Sequence, residues 1–91
     1  MKFEWDEAKN EINRRKHGLD FADGPEIFNG PMLVQLDTRQ DYGEERWIGM
    51  GFIQNRVVVV VYSERDNGET IRIISLRKAL KYERKRFEES I

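Results

Sequence analysis

The chain has 91 residues, with 16 Lys or Arg against 17 Asp or Glu, one histidine and no cysteine, for a net charge of −1. That length allows one small core, and the lack of cysteine excludes disulfides and thiolate metal sites, while a single imidazole argues against structural zinc. No apolar run is long enough to span a bilayer, and charges follow Met1 too closely for a signal peptide. The expectation is a cytoplasmic protein with a single domain over residues 1–91 and no cofactor.

Phe3-Glu4-Trp5 reads as a short apolar lead-in. Asp6 can cap a helix running to about His17, which Gly18 can end in the left-handed conformation. Its apolar content is thin, Ala8 and Ile12 after Trp5, so the helix should lie partly exposed over something else. Asp20 can cap a second, shorter helix towards Phe28, with Pro25 tolerated only near its start.

Strand patterns follow at Met32 to Leu36, Glu45 to Ile53, Val57 to Tyr62 and Thr70 to Ser75. Gln54-Asn55 is a two-residue hairpin turn, and Asp66-Asn67-Gly68 is a further turn. The unbroken apolar run Val57 to Tyr62 is the pattern of a central strand covered on both faces.

In Arg72-Ile73-Ile74-Ser75-Leu76-Arg77-Lys78-Ala79 the last strand is expected to pass directly into a basic helix capped by Ser75. Leu76, Ala79, Leu80, Glu83 and Phe87 would then form the stripe that covers the sheet. The fold class predicted is α+β, with two N-terminal helices, a four-stranded antiparallel sheet and a C-terminal helix packed on it.

Charge is unevenly spread. Arg72 to Arg86 holds seven cations against Glu83 alone, Arg14-Arg15-Lys16-His17 forms a second basic cluster, and acids gather at Asp20 to Glu26 and Asp37 to Glu45. A junction flanked by Arg72 and Arg77 can gather guanidinium groups around a phosphate. Cleaving RNA without a metal needs a base, an acid and fixed cations for the developing charge. Glu44 and His17 are the proton-transfer candidates. Arg46, Arg65, Arg72 and Arg77 are the candidate phosphate-holding groups, and Lys9 and Lys16 can add charge from the first helix.

The same residues have plainer readings. His17 before a glycine can simply complement a helix C-terminus. Arg46 beside Glu44 can be a surface ion pair, and Arg72 can pair with a helix carboxylate such as Glu83. Trp5 and Trp47 read as core anchors, as do Tyr62 and Phe87. No helix-turn-helix pair supports a protein that binds DNA alone.

Phe3-Glu4-Trp5-Asp6, Lys9, Asn13, Lys16-His17-Gly18 and Phe21 resemble the start of BrnT-type toxins. The likeness continues through Phe28, Asp37, Glu44, Arg46 and Gly49, and ends with Arg72-Ile73-Ile74-Ser75, Arg77, Ala79 and Glu83. Two departures from the family pattern are an acidic rather than basic balance and Leu76 where a small residue is common.

The resemblance implies a compact fold similar to RelE toxins. It also implies an endoribonuclease of a type II toxin–antitoxin system that slows translation and growth. Its partner would be a BrnA-like ribbon-helix-helix antitoxin, with operator DNA bound only through that antitoxin. Carried over by position, it favours Lys16, His17, Glu44, Arg46, Arg72 and Arg77 as functional. Lys9, Lys16, Arg65 and Lys78 are the residues expected to dock the RNA. The alternative is a non-catalytic module that binds the antitoxin and co-represses its operon.

Overall fold

The computed structural model describes all 91 residues. Its order is β1 (Lys2–Glu4), α1 (Glu7–His17), a 3-10 helix (Phe21–Asn29), β2 (Leu33–Leu36), β3 (Trp47–Ile53), β4 (Arg56–Arg65), β5 (Thr70–Lys78) and α2 (Lys81–Ser90). A further single 3-10 turn covers Asp66–Gly68.

The sheet has five strands in the order β1-β5-β4-β3-β2. This corrects the four-stranded antiparallel expectation. The lead-in Phe3 is a strand residue, because Lys2–Glu4 pairs in parallel with β5 at Thr70–Arg72 and so sets Phe3 against the core. A three-residue strand is too short for alternation to reveal it in the sequence.

Val57 to Tyr62 does lie in the central strand, and both faces of that strand are covered. Val58, Val60 and Tyr62 join Leu19, Phe21, Ile27, Ile71, Ile73 and Leu76 in the larger core, under α1 and the 3-10 helix. Val57 and Val59 face the other way, towards Met50 and Phe87 of α2. Gln54 and Asn55 have φ of 49° and 67°, so the β3–β4 hairpin turns through two left-handed residues, which matches the twist of the strands. Gly51 allows the 3-10 helix to approach β3: a Cβ there would lie 2.6 Å from Ile27 Cγ2.

Asp6 caps α1 by accepting from the N–H groups of Ala8 and Lys9, and Gly18 ends it at φ 70°. The helix is not held by apolar side chains. Ile12 is 62% exposed, and the buried residues of α1 are Asn10 and Asn13. Asn13 donates to the carbonyls of Leu19 (3.0 Å) and Leu76 (2.9 Å) and accepts from Leu76 N–H (3.1 Å). Its amide thereby does for the open edge of β5 what a sixth strand would do. Asn10 accepts from Phe21 N–H and donates to Asp20, which itself caps the next element by accepting from Ala22 N–H. That element is a 3-10 helix with Pro25 inside it, where the missing N–H disfavours an α-helix.

The C-terminal reading changes most. β5 continues past Ser75 to Lys78, with Leu76 opposite Val60 and Arg77 opposite Val59, and Ala79 N–H donates to Val57 O. The reason lies in β4: its backbone groups need a partner along its whole apolar run. Ser75 is therefore a strand residue and caps nothing. Leu76 is buried in the sheet's opposite core, Leu80 is 53% exposed, and of the predicted stripe Phe87 is the residue that α2 fully buries. Phe87 packs edge-on against Phe52 at 5.2 Å between ring centroids.

Candidate functional site

A bulge in β5 builds the site. Val61 pairs with Ser75 while Tyr62 pairs with Ile73, so Ile74 is an extra residue. Before it, the odd-numbered Ile71 and Ile73 enter the larger core; after it, Leu76 does. In a regular strand Arg72 and Arg77 would point to opposite faces. The inserted residue puts both on the α2 face, with Ser75 between them.

Each guanidinium is tethered to a carboxylate. Arg77 makes a bidentate pair with Glu83 of α2 (2.8 and 2.9 Å). Glu83 also accepts from Leu80 N–H, so one carboxylate starts the helix and orients the arginine. Arg77 holds the Glu83 carboxyl below the usual carboxylate range. Arg72 bonds Glu4 of β1 at 2.8 Å, not Glu83, because Glu4 is its neighbour in the parallel pairing. Arg65 spans Glu4 and Glu44, 3.8 Å from each, and Arg46 stands 3.5 Å from Glu44 with its guanidinium 4.2 Å over the Tyr42 ring. Glu44, Arg46, Arg65 and Arg72 thus form one ion-pair network.

Beneath that network lies Ser63, which is paired with Arg72 and 2% exposed; its Oγ has no hydrogen-bond partner. Asp37 anchors a further arginine. Its side chain is fully buried and accepts from Arg39 Nε (2.8 Å), Nη2 (2.7 Å) and N–H (3.1 Å), while 63% of the Arg39 side chain is exposed. The Arg39 guanidinium holds the Asp37 carboxyl far below its ordinary range despite burial, with Tyr42 adding in the same direction. Arg39 is close enough to Arg77 for their charges to oppose each other.

His17 ends α1 beside the open edge of β5. With Lys9, Lys16, Asn13, Ile74 and Ser75 it lines a cleft of about 220 Å³. Its pKa is lowered from 6.5 by partial burial first, then by Lys16 and Arg77, which favours the neutral imidazole. Asn13 fixes this placement, since it ties the last turn of α1 to Leu76, next to Arg77.

Of the residues singled out from the sequence, His17, Lys9 and Lys16 come together in one cleft, with His17 near enough to Arg77 to feel its charge, and Glu44, Arg46, Arg65 and Arg72 come together in one network. Lys78 stands apart, beyond Arg77 at the end of β5, in a groove with Arg56, Arg84 and Glu88. The sequence reading passed over Arg39, although Asp37-x-Arg39 after a strand is an Asx-turn pattern. It also passed over Glu4, whose role depends on a strand too short to recognise.

Residues 5–83 match a family model described as a ribonuclease toxin, BrnT, of type II toxin-antitoxin systems. The chain belongs to that family. No curated protein matches it significantly. The BrnT match runs from Trp5, one residue after the Arg72 partner Glu4, to Glu83, the Arg77 partner, and so takes in every arginine of the site. A type II toxin–antitoxin family implies a protein antitoxin as partner. No helix is long and apolar enough to cross a membrane.

Proposed function

We propose that this BrnT-family chain is an endoribonuclease toxin that cuts single-stranded RNA at the sheet face bearing Arg46, Arg72 and Arg77, with no metal in the reaction. The observation that carries the reading is the bulge at Ile74, which brings Arg72 and Arg77 to one face of a chain that is acidic overall. A guanidinium tethered through one edge keeps its remaining N–H groups for phosphate oxygens.

In this reading the 2′-oxygen bonds to the adjacent phosphorus as a base removes the hydroxyl proton. The P–O5′ bond breaks and the leaving oxygen takes up a proton, giving a 2′,3′-cyclic phosphate and a 5′-hydroxyl. Arg77, near His17, would stabilise the charge on the phosphorane oxygens, the role in which fixed cations contribute most, while Arg46 and Arg72 would hold a neighbouring phosphate of the strand. His17, neutral and beside Arg77, suits the base; Glu44, held among arginines, is the other proton-transfer candidate. Lys9 and Lys16 flank His17 and would hold the incoming strand, with Arg65 beside the network.

A second reading has its own support. The edge strand β2 exposes Val34 (42%) and Leu36 (41%), and α1 exposes Ile12, which suits a module that works by binding its BrnA-like ribbon-helix-helix antitoxin and co-repressing their operon. Induced expression separates the two. Growth arrest with RNA fragmentation, relieved by Arg77→Ala and by the co-expressed antitoxin, is expected of the enzyme. Intact RNA and normal growth from well-folded protein would favour the binding module.

A further inference from the structure

Between the β2–β3 edge of the sheet and the first turn of α2 lies a cleft of about 140 Å³. Leu33, Ile48 and Met50 line it from the sheet and Tyr82 from the helix, with Gln35, Glu83 and Arg86 supplying polar atoms. The strand register explains the lining: Leu33 pairs with Met50 and Gln35 with Ile48, so these four side chains share the α2 face. A space of this order is enough for a single aromatic ring.

The surroundings of the cleft narrow the choice of occupant. Two residues beyond Gln35 on the same strand direction is Asp37, which holds Arg39; on the helix side Glu83 holds Arg77. Arg86 lines the cleft directly, Arg77 adjoins it through its pair with Glu83, and Arg39 is near enough to Arg77 to feel its charge; both tethered guanidinium groups keep exposed surface. A slot that is apolar on its sheet side, with polar atoms, one lining cation and further cations nearby, matches a base linked to its phosphate. An apolar side chain of a protein would use the slot but leave the paired cations and the Gln35 amide without purpose. Tyr82, 69% exposed, is free to stack on the ring.

We propose that this cleft is a base-binding subsite for a nucleotide of single-stranded RNA whose phosphate lies between Arg39 and Arg77, so that base identity is read beside the arginine site. The proposal rests on the ribonuclease reading, and it gives Arg39 a part in substrate positioning.

The test uses the full chain and uncleavable 2′-O-methyl oligonucleotides, followed by fluorescence anisotropy, with and without abasic positions. The base-bearing strand is expected to bind roughly tenfold or more tightly than the abasic one, as loss of one stacked base implies. Tyr82→Ala should abolish that difference, and Gln35→Ala should alter which base is preferred. Both side chains are exposed, so folding is not at stake. Equal binding of base-bearing and abasic strands, or a difference that survives Tyr82→Ala, overturns the subsite and leaves the ribonuclease reading standing. Failure of every strand to bind overturns both. Loss of antitoxin capture in Tyr82→Ala with oligonucleotide binding unchanged overturns the subsite and assigns the cleft to a protein side chain.

Discussion

Asn13→Ala is predicted to be among the most damaging single substitutions outside the apolar core. The Asn13 amide is 7% exposed and makes three hydrogen bonds, to Leu19 O, Leu76 O and Leu76 N. Its loss leaves those backbone groups unpaired at a buried edge, where each costs about 1–3 kcal/mol. Partial access of water at the strand edge brings the total towards the lower end, about 3 kcal/mol. A domain of this size loses about 4–8 °C of Tm per kcal/mol, so the fall should be roughly 12 °C or more.

Asn13→Asp sharpens the test, because it keeps shape and acceptors but turns an oxygen towards the two carbonyls that the amide N–H groups now serve. It should be at least as destabilising at neutral pH and should recover in part as the carboxyl protonates. Thermal and urea unfolding followed by circular dichroism would measure both. A loss below about 0.5 kcal/mol for Asn13→Ala, the level of an ordinary surface change, would refute the idea that a polar clamp holds α1 on β5.

Other consequences are open to direct measurement. The one histidine makes NMR titration simple: His17 should titrate below 6.5, and because the folded form binds its proton more weakly, its stability contribution is fully present above the unfolded value and is lost as pH falls from there through the lower folded one; a midpoint above 6.5 would contradict its placement beside Lys16 and Arg77. The Asp37, Glu83 and Asp20 carboxyls are all lowered, so stability is fully present above the unfolded carboxylate range and declines as pH drops below about 4. Asp37→Asn should flatten that acid dependence, and an unchanged profile would count against the buried Asp37–Arg39 pair. Glu83→Gln should cost about 1 kcal/mol in urea unfolding, discounted for the partial exposure of Arg77, since an acceptor remains but the charge is lost. Gly51→Ala should destabilise by about 1–3 kcal/mol through overpacking against Ile27; wild-type stability in that variant would disprove the close approach of the 3-10 helix.

Local chemistry made much of this fold legible. Asp6 and Gly18 mark the ends of α1 by capping, Gln54-Asn55 marks the hairpin, and the run from Val57 marks the central strand. What escaped depends on pairing between distant segments. Lys2–Glu4 is a strand only because β5 offers an edge, and Leu76–Lys78 stay extended only because β4 needs a partner there. Helical spacing from Leu76 to Phe87 is real as a pattern, yet the strand takes its first residues. For the site, arginines could be found by type, but alternation alone puts Arg72 and Arg77 on opposite faces. The bulge at Ile74 reverses that, and nothing in the local sequence announces it.

The most direct test of the central claim is cleavage of end-labelled RNA by purified protein in the presence of a chelator, with the product ends analysed. Wild type should yield 2′,3′-cyclic phosphate ends, and Arg72→Ala and Arg77→Ala, shown to be folded by circular dichroism, should yield few or none. Undiminished cleavage in both folded variants would contradict an active site built on the arginine face of the sheet.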